Sequence, residues 1–296
     1  MNINIKEILQ STLLSPLDTE ILLSLAVNKP KEYLFSHPEK KLNKPQILRY
    51  KFYVARRLSG EPIAYITGKK EFYGLEYEVD KNVLIPRPET ELLVELALKK
   101  IQTAEYEIPD TLIDIGTGSG NIVVSIAKNI PAKQRKKMQF YATDISKEAL
   151  FMAKKNAKRH KVAKNIKFVQ SDLLEFANKK KIGGNITIVA NLPYVSDSLY
   201  KKNKHNLKYE PKKALLSKKG GLRHYEKMLR QIKKIIQITN YRLLITALLE
   251  ISPEQKTALA KIAKRELPLA KIKFLKDLSG KWRIAKLSVF VDKKCP

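Results

Sequence analysis

The residues of this chain best suited to chemistry are Asn191-Leu192-Pro193-Tyr194, directly behind the apolar, β-branched run Ile186 to Ala190. The run has the length and composition of a buried parallel strand. Pro193 stops it, because proline has no N–H to give the ladder. In open α/β sheets, ligands bind just past the C-terminal ends of strands. The Asn191 side-chain oxygen and the Leu192 carbonyl are both acceptors. Two acceptors can hold the two hydrogens of an amide or an exocyclic amine, leaving the nitrogen lone pair aimed away from them. Tyr194 offers a flat face for the rest of such a substrate. Asn and Pro are also ordinary turn residues, so the stretch taken alone reads equally well as a plain strand-to-loop turn.

Its neighbours shift that balance. Thr111 to Asn121, TLIDIGTGSGN, is a strand, a glycine-rich turn and a helix start. Gly116, Gly118 and Gly120, interleaved with Thr117 and Ser119, allow positive φ and close backbone approach to a ligand. The spacing is G-x-G-x-G and not the dinucleotide G-x-G-x-x-G, and no Walker-type Lys follows. Asp144 closes the next expected strand, where an acid can accept hydrogen bonds from ribose hydroxyls. Ser171-Asp172-Leu173 follows the third, a natural place for adenine and its exocyclic amine. Ribose and adenine sites beside a glycine turn, without a pyrophosphate clamp, suit S-adenosylmethionine.

Alternating elements must position these groups. Strands are expected at Thr111–Ile115, Gln139–Thr143, Ile166–Gln170, Ile186–Ala190, Arg242–Leu248, Lys271–Leu275 and Trp282–Phe290. Helices are expected at Gly120–Asn129, Lys147–Arg159, Leu222–Ile236 and Pro253–Arg265. Such alternation implies a mostly parallel sheet with helices on both faces. Only Lys276 to Lys281 join the last two strands, too few for a crossover helix, so that pair should be antiparallel. Residues 1–70 read as a small helical bundle. Ile5–Leu14 forms one helix, Asp18–Val27 a second after the Ser15-Pro16 break, Lys31–Phe35 a third, and Pro45–Leu58 a fourth closed by Gly60. Residues 71–88 read as a hairpin linker, with Phe72–Val79 turning at Asp80-Lys81-Asn82 into Val83–Ile85. Residues 89–296 form the third region, opening with a helix from Thr90 to Lys100. Ser196 to Lys208, Lys-rich and polar, is placed to be a lid.

Composition narrows the class further. The chain has 296 residues, with Lys plus Arg 58, Asp plus Glu 29 and a formal net charge of +29. That charge points to an anionic partner, but the lysines are spread over nearly every expected helix surface and read as a compositional bias. A basic surface still favours docking onto an acidic protein or an RNA-rich particle. The single cysteine, Cys295, excludes a disulfide framework and fits a reducing compartment. No run reaches membrane-spanning length, and the N-terminus shows no signal or transit pattern. A cytoplasmic monomer is expected. His160 and His205 read as surface residues, and no metal-ligand spacing is visible.

At this point the residues resemble the HemK-type family, the N5-glutamine methyltransferases of peptide chain release factors. The resemblance covers almost the whole chain. GEPIAYITGKKEFYGLEYEV, VLIPRPETELLVE, LIDIGTGSG, ATDISKEAL, SDLL, NLPYV, YEPKKAL, LLEI and KDLSGKWRIAKL match family blocks in family order. The resemblance implies a class I S-adenosylmethionine-dependent methyltransferase fold, Rossmann-like, with a seven-stranded sheet and an antiparallel last strand. An N-terminal helical domain would precede it and dock the protein substrate. It implies that Gly116, Thr117, Gly118, Ser119, Gly120, Asp144, Leu173 and Asn191 contact S-adenosyl-L-methionine, which leaves as S-adenosyl-L-homocysteine; Asp172 joins them from its place after the third strand. Asn191, Leu192, Pro193 and Tyr194 would hold the glutamine of the factors' Gly-Gly-Gln tip and form the catalytic turn. Ribosome-associated factors would be further partners, with no membrane and no direct nucleic-acid binding expected. Three departures stand out: Leu192 for the usual first proline of Asn-Pro-Pro-Tyr, Gly220-Gly221 for Asp-Gly, and Glu250-Ile251-Ser252 for Glu-Ile-Gly.

A primary amide nitrogen is a poor nucleophile because its lone pair is delocalised. The strategy expected is positioning plus electrostatics and not a strong base. A second reading is an adenine-N6 methyltransferase acting on ribosomal RNA or DNA. The same NH₂ logic applies there, and Asn-Leu-Pro-Tyr also occurs in ribosomal RNA adenine dimethyltransferases. Those enzymes resemble Glu-Ile-Gly-Pro-Gly at the glycine turn, whereas this chain has Asp114-Ile115-Gly116-Thr117-Gly118. A third reading, a catalytically inactive RNA- or ribosome-binding scaffold, would bind the cofactor and methylate nothing.

Overall fold

The computed structural model describes residues 3–102, 111–179, 182, 184–195, 200–201, 207–239 and 242–292. The lid expected at Ser196 to Lys208 falls largely outside them, as do His205 and Cys295. The chain divides into two compact units, Met1–Lys69 and Lys70–Pro296.

The first unit contains α1 (Ile5–Leu9), α2 (Pro16–Val27), α3 (Lys31–Ser36), α4 (Lys44–Leu58) and α5 (Ile63–Thr67). Three of these expectations need correcting. α1 ends at Leu9 and not at Leu14. α2 opens at Pro16, because Ser15 is its cap: the Ser15 hydroxyl accepts from the Asp18 N–H at 3.2 Å. Proline at the first helical position starts a helix as readily as it breaks one. α5, inside GEPIAYITG, is a further helix that the residue pattern did not reveal. At five residues it is too short to show a period, and Gly68 (φ 71°) closes it. Asn43 and Gln46 form a capping box that launches α4. Ile5, Ile8, Leu23, Val27, Leu34 and Leu42 make one apolar cluster, and Leu22, Val54 and Ile66 another. Arg57 reaches Asp18 at 2.8 Å.

The hairpin is β1 (Lys69–Phe72) and β2 (Leu75–Glu78), not Phe72–Val79 with Val83–Ile85. Its turn is Tyr73-Gly74, with φ of 52° and 67°. Two successive positive φ values match the twist of a tight hairpin. The turn is held by the Tyr73 N–H, which donates to Glu91 Oε1 at 2.8 Å. Asp80 to Asn82 form instead a local turn, in which Asp80 Oδ1 accepts from the Asn82 N–H.

In the second unit, α6 (Glu91–Gln102) leads to β3 (Thr111–Ile115), α7 (Asn121–Asn129), α8 (Ala132–Lys137), β4 (Gln139–Asp144), α9 (Lys147–Arg159), β5 (Ile166–Gln170), α10 (Glu175–Lys179) and β6 (Gly184–Ala190). Short helix Lys212–Leu215, long helix Arg223–Ile238, β7 (Leu243–Glu250), helix Lys256–Glu266, β8 (Lys271–Lys276) and β9 (Trp282–Val291) follow. The seven-stranded sheet has the order β5-β4-β3-β6-β7-β9-β8. Pairs from β5 to β7 are parallel, and β9 runs antiparallel to both β7 and β8. Alternate residues of one strand enter opposite cores: Leu112 joins one apolar cluster, and Ile113 and Ile115 join the other. No described helix is long and apolar enough to cross a membrane.

Register is what the site needs. Ile115 pairs with Thr143 and with Ala190, Thr143 with Val169, and Ala190 with Leu249. The next residue of each strand therefore falls in one row: Gly116, Asp144, Gln170, Asn191 and Glu250. The chain moves outward from β3 to β5 and then returns beside β3 with β6. That reversal is the switch point at which open α/β sheets bind ligands.

Candidate active site

A cleft of about 530 Å³ opens over this row, bordered by Gly116, Gly118, Asp144, Asp172, Asn191 and Leu192 among others. Its size is that of a small-molecule site.

The glycine turn owes its shape to buried Asp114. Asp114 Oδ2 accepts from the Thr117 hydroxyl at 2.7 Å and from the Val123 N–H at 3.3 Å. Burial pushes its carboxyl up to about 7, against those two hydrogen bonds. Within this turn, Gly120 is the position where a side chain is least tolerable, since a Cβ there would lie 3.0 Å from Ala153 Cα and Cβ. Glycine thus lets α7 pack on α9. Thr117 and Ser119 border the cleft, but their hydroxyls are committed inside the loop, to Asp114 and to Asn121 Oδ1. The contact with a cofactor expected of them would fall to their backbone.

Asp144 sits where its strand ends. Its Oδ2 accepts from the Gly118 N–H at 3.0 Å, and Oδ1 from the Ser146 N–H at 2.9 Å. Burial raises its carboxyl above the usual range, opposed by these N–H bonds. Each oxygen keeps acceptor capacity. Ile145, next in the chain and 60% exposed, borders the same cleft as an apolar wall. Asp172 also borders it, though its carboxylate is paired with Lys227 at 2.5 Å. Leu173 holds a positive φ of 57°. Gln231 clamps that strained turn, accepting from the Leu174 N–H at 2.9 Å and donating to the Asp172 carbonyl at 3.1 Å. Carboxylate acceptors, an apolar wall and a turn that admits close backbone approach together suit a nucleoside bearing an amino-acid tail. The residues present therefore fit S-adenosylmethionine, with Asp144, Asp172, Ile145, Leu173 and the Gly116–Gly120 backbone as the groups that would hold it.

At the end of β6, Asn191 Nδ2 donates to Thr90 Oγ1 at 3.0 Å. Leu192 is buried, and its side chain closes on Gly116. A ring nitrogen of His224 donates to the Pro193 carbonyl, and its Nδ1 lies 3.0 Å from Ser217 Oγ. Tyr194 departs from expectation. Its ring packs against the apolar cluster beneath the sheet and does not border this cleft. The chain has already turned away there, as the Val195 N–H donates to the Leu215 carbonyl at 2.9 Å and the Ser217 N–H to the Val195 carbonyl at 3.0 Å. Burial and the nearby Glu250 push the Tyr194 phenol up to about 12, so it stays neutral. Among the described residues, no three or more His, Cys, Asp or Glu are grouped to hold a metal ion.

Thr90, Glu250 and His224 were not legible as site residues. The blocks holding Thr90 and Glu250 were visible by resemblance, but nothing in them says which residue turns inward. The structure also joins two such blocks: Arg87 pairs with buried Glu210. Glu210 accepts from the Ile85 N–H as well, which ties PRPETE to YEPKKAL.

Asp144→Ala is expected to weaken S-adenosylmethionine binding by about 10- to 100-fold, the size of one lost charge-assisted hydrogen bond. It also frees the Gly118 N–H. Calorimetry reads the effect, and unchanged affinity would refute the ribose role.

A glycine turn, an acid row and an Asn-Leu-Pro-Tyr turn on this seven-stranded sheet define a class I S-adenosylmethionine-dependent methyltransferase. Comparison with known proteins agrees. Residues 5–68 match the PrmC N-terminal domain, and residues 109–236 match a methyltransferase domain. The chain is 41% identical over 208 residues to the release factor glutamine methyltransferase of Coxiella burnetii, covering 70% of this chain and 69% of that one. It is 33% identical over 271 residues to that of Dictyoglomus turgidum, covering 92% and 90%. It is 36% identical over 245 residues to a bifunctional methyltransferase of Rickettsia bellii, covering 75% of this chain but 43% of that longer protein. Among solved structures, the human Mettl16 catalytic domain in complex with MAT2A 3'UTR hairpin 6 shares the fold, with TM-score 0.54, 19% identity and 87% of each chain covered. This chain belongs to the release factor glutamine methyltransferase family.

Proposed function

We propose that the protein methylates the side-chain amide nitrogen of a glutamine in peptide chain release factors, at their Gly-Gly-Gln tip, in the cytoplasm. The observation that carries this reading is the orientation of Asn191. Its NH₂ is taken by Thr90, so Oδ1 is the end left to accept from a substrate. Asn191 Oδ1 and the Leu192 carbonyl would receive the two N–H groups of the glutamine amide. That hold turns the nitrogen lone pair outward and favours the positive charge that grows on nitrogen. S-adenosylmethionine, when bound, supplies an electrophilic methyl on a sulfonium. Leu192 and Ile122, which border the cleft, would give the reacting end apolar walls that limit water. The relatives' printed names support the substrate class.

The test is direct. The protein is incubated with labelled S-adenosylmethionine, a release factor and total RNA, and label is mapped by mass spectrometry. Label on the glutamine amide is expected, and label on adenine alone would overturn the reading.

The first unit would dock the protein substrate. Among the described residues, it holds none of those bordering the cleft. A chain starting at Gly68 should bind S-adenosylmethionine like the full protein but methylate an intact release factor at least about tenfold more slowly at limiting concentration, as loss of a docking contact implies. Full turnover by the shortened chain would end the docking idea.

A further inference from the structure

We propose that Thr90 is a positioning residue that fixes which end of the Asn191 amide faces the substrate. This deepens the reading above and rests on it, since it concerns how Asn191 Oδ1 is kept available.

The two ends of an asparagine amide have almost the same shape, so sterics alone cannot choose between them. A hydrogen-bond partner of fixed polarity can. Thr90 is the partner here, and its hydroxyl takes a fixed polarity once its one proton is drawn to another group. Only 2% exposed, it ends the 3-10 turn Pro88–Thr90, with Oγ1 3.0 Å from Asn191 Nδ2. The turn is held in place: the Thr90 N–H donates to the Arg87 carbonyl at 3.0 Å, and Arg87 pairs with Glu210.

A threonine hydroxyl has one proton. Its other neighbour is the carboxyl of Glu250, the residue beside Asn191 in the row, which is 1% exposed, is favoured in its charged form by the Thr90 hydroxyl and keeps Oε2 without a hydrogen-bond partner among the described residues. An ionised carboxylate only accepts. The Thr90 proton must then point at Glu250, and only lone pairs are left for Asn191. The NH₂ end has to face Thr90, and Oδ1 has to face the other way. The polarity is thus relayed from Glu250 through Thr90 to Asn191.

The groups around Glu250 decide when the relay holds. Burial raises its carboxyl to about 7, while the Thr90 hydrogen bond, Arg283 and Arg87 pull it down and Glu89 pushes it up. From the long helix, the Tyr225 hydroxyl donates to the Glu250 main-chain carbonyl, and Tyr194 also lies nearby. Both phenols are held above their ordinary value and stay neutral. On protonation, Glu250 can donate to Thr90. The Thr90 proton is then free to turn toward Asn191, and the amide loses its preference. Turnover should therefore fall as pH drops through about 7.

The experiment uses the full-length protein with a release factor as substrate. Thr90→Val keeps the shape and removes the hydroxyl. It should lower kcat by about 10- to 100-fold, leave S-adenosylmethionine affinity unchanged by calorimetry, and abolish the acid limb of the kcat profile. Thr90→Ser should restore both. Glu250→Gln offers an N–H to Thr90 and should also lower kcat. A second readout needs no turnover: in ¹⁵N-asparagine-labelled protein, the Asn191 NH₂ signals should titrate with pH, and should cease to do so in Glu250→Gln. Normal kcat and an intact acid limb in Thr90→Val, with kcat lost in Asn191→Ala, would overturn the relay alone. Failure of Thr90→Ser to restore kcat would reduce Thr90 to a packing role and overturn it too. Normal kcat in Asn191→Ala would overturn the underlying reading of the turn.

Discussion

Asn191→Ala is expected to lower kcat for release factor methylation by about 10² to 10³, the range seen when a preorganised group that meets developing charge is removed. The loss belongs in kcat because the amide nitrogen gains positive charge only as the bond forms. An acceptor held at that nitrogen strengthens between ground state and transition state. Asn191 can be such an acceptor because the register of β3, β6 and β7 places it in the row with Gly116 and Glu250, and because Thr90 takes its other end. Asn191→Asp should be no better tolerated. It would set a carboxylate oxygen, next in the row to the buried Glu250 carboxyl, against Thr90 Oγ1, and a buried unpaired carboxylate is expensive. Single-turnover methylation separates the cases. A raised KM with normal kcat in Asn191→Ala would sink the catalytic role of the turn.

The second large effect is expected at Gly221. A Cβ there would stand 2.1 Å from the Tyr194 carbonyl oxygen and 2.4 Å from Gln255 Nε2, and its φ is +84°. The carbonyl belongs to the Asn-Leu-Pro-Tyr turn, so Gly221→Ala must push the turn that carries Asn191 and the Leu192 carbonyl. A shift of about 1 Å in such positioning costs roughly 10²-fold in rate. S-adenosylmethionine affinity should stay within a few-fold, because Asp144 ends β4 and Asp172 follows β5, away from this turn. Gly220→Ala is the control. No atom lies within 4 Å of its would-be Cβ, so only its positive φ of +62° opposes the change. The same open space receives the position where the family's acid is absent. Equal kcat for Gly221→Ala and the unaltered protein would show that the contact does not set the turn.

What the chain states by itself is local. β3 at Thr111–Ile115, β5 at Ile166–Gln170 and α9 at Lys147–Arg159 lie where apolar runs and caps put them. Apolar alternation, a Ser cap and a glycine turn are all written within a few neighbouring residues. Asn191 and Asp144 were legible for the same reason, as polar residues that close apolar strands. The hairpin differs from the pattern because its turn places Tyr73, which is not a glycine, at positive φ, and a contact to Glu91 eighteen positions away helps hold it there. Thr90 is separated from Asn191 by 101 positions, and Arg87 from Glu210 by 123. Those pairings depend on strand order and register, which are set by the packing of whole elements and not by the residues that meet. The sequence by itself determined which polar residues close the strands. Only the tertiary structure decided which buried side chains hold that chemistry in one orientation, because a hydrogen bond across the fold has no periodicity to reveal it.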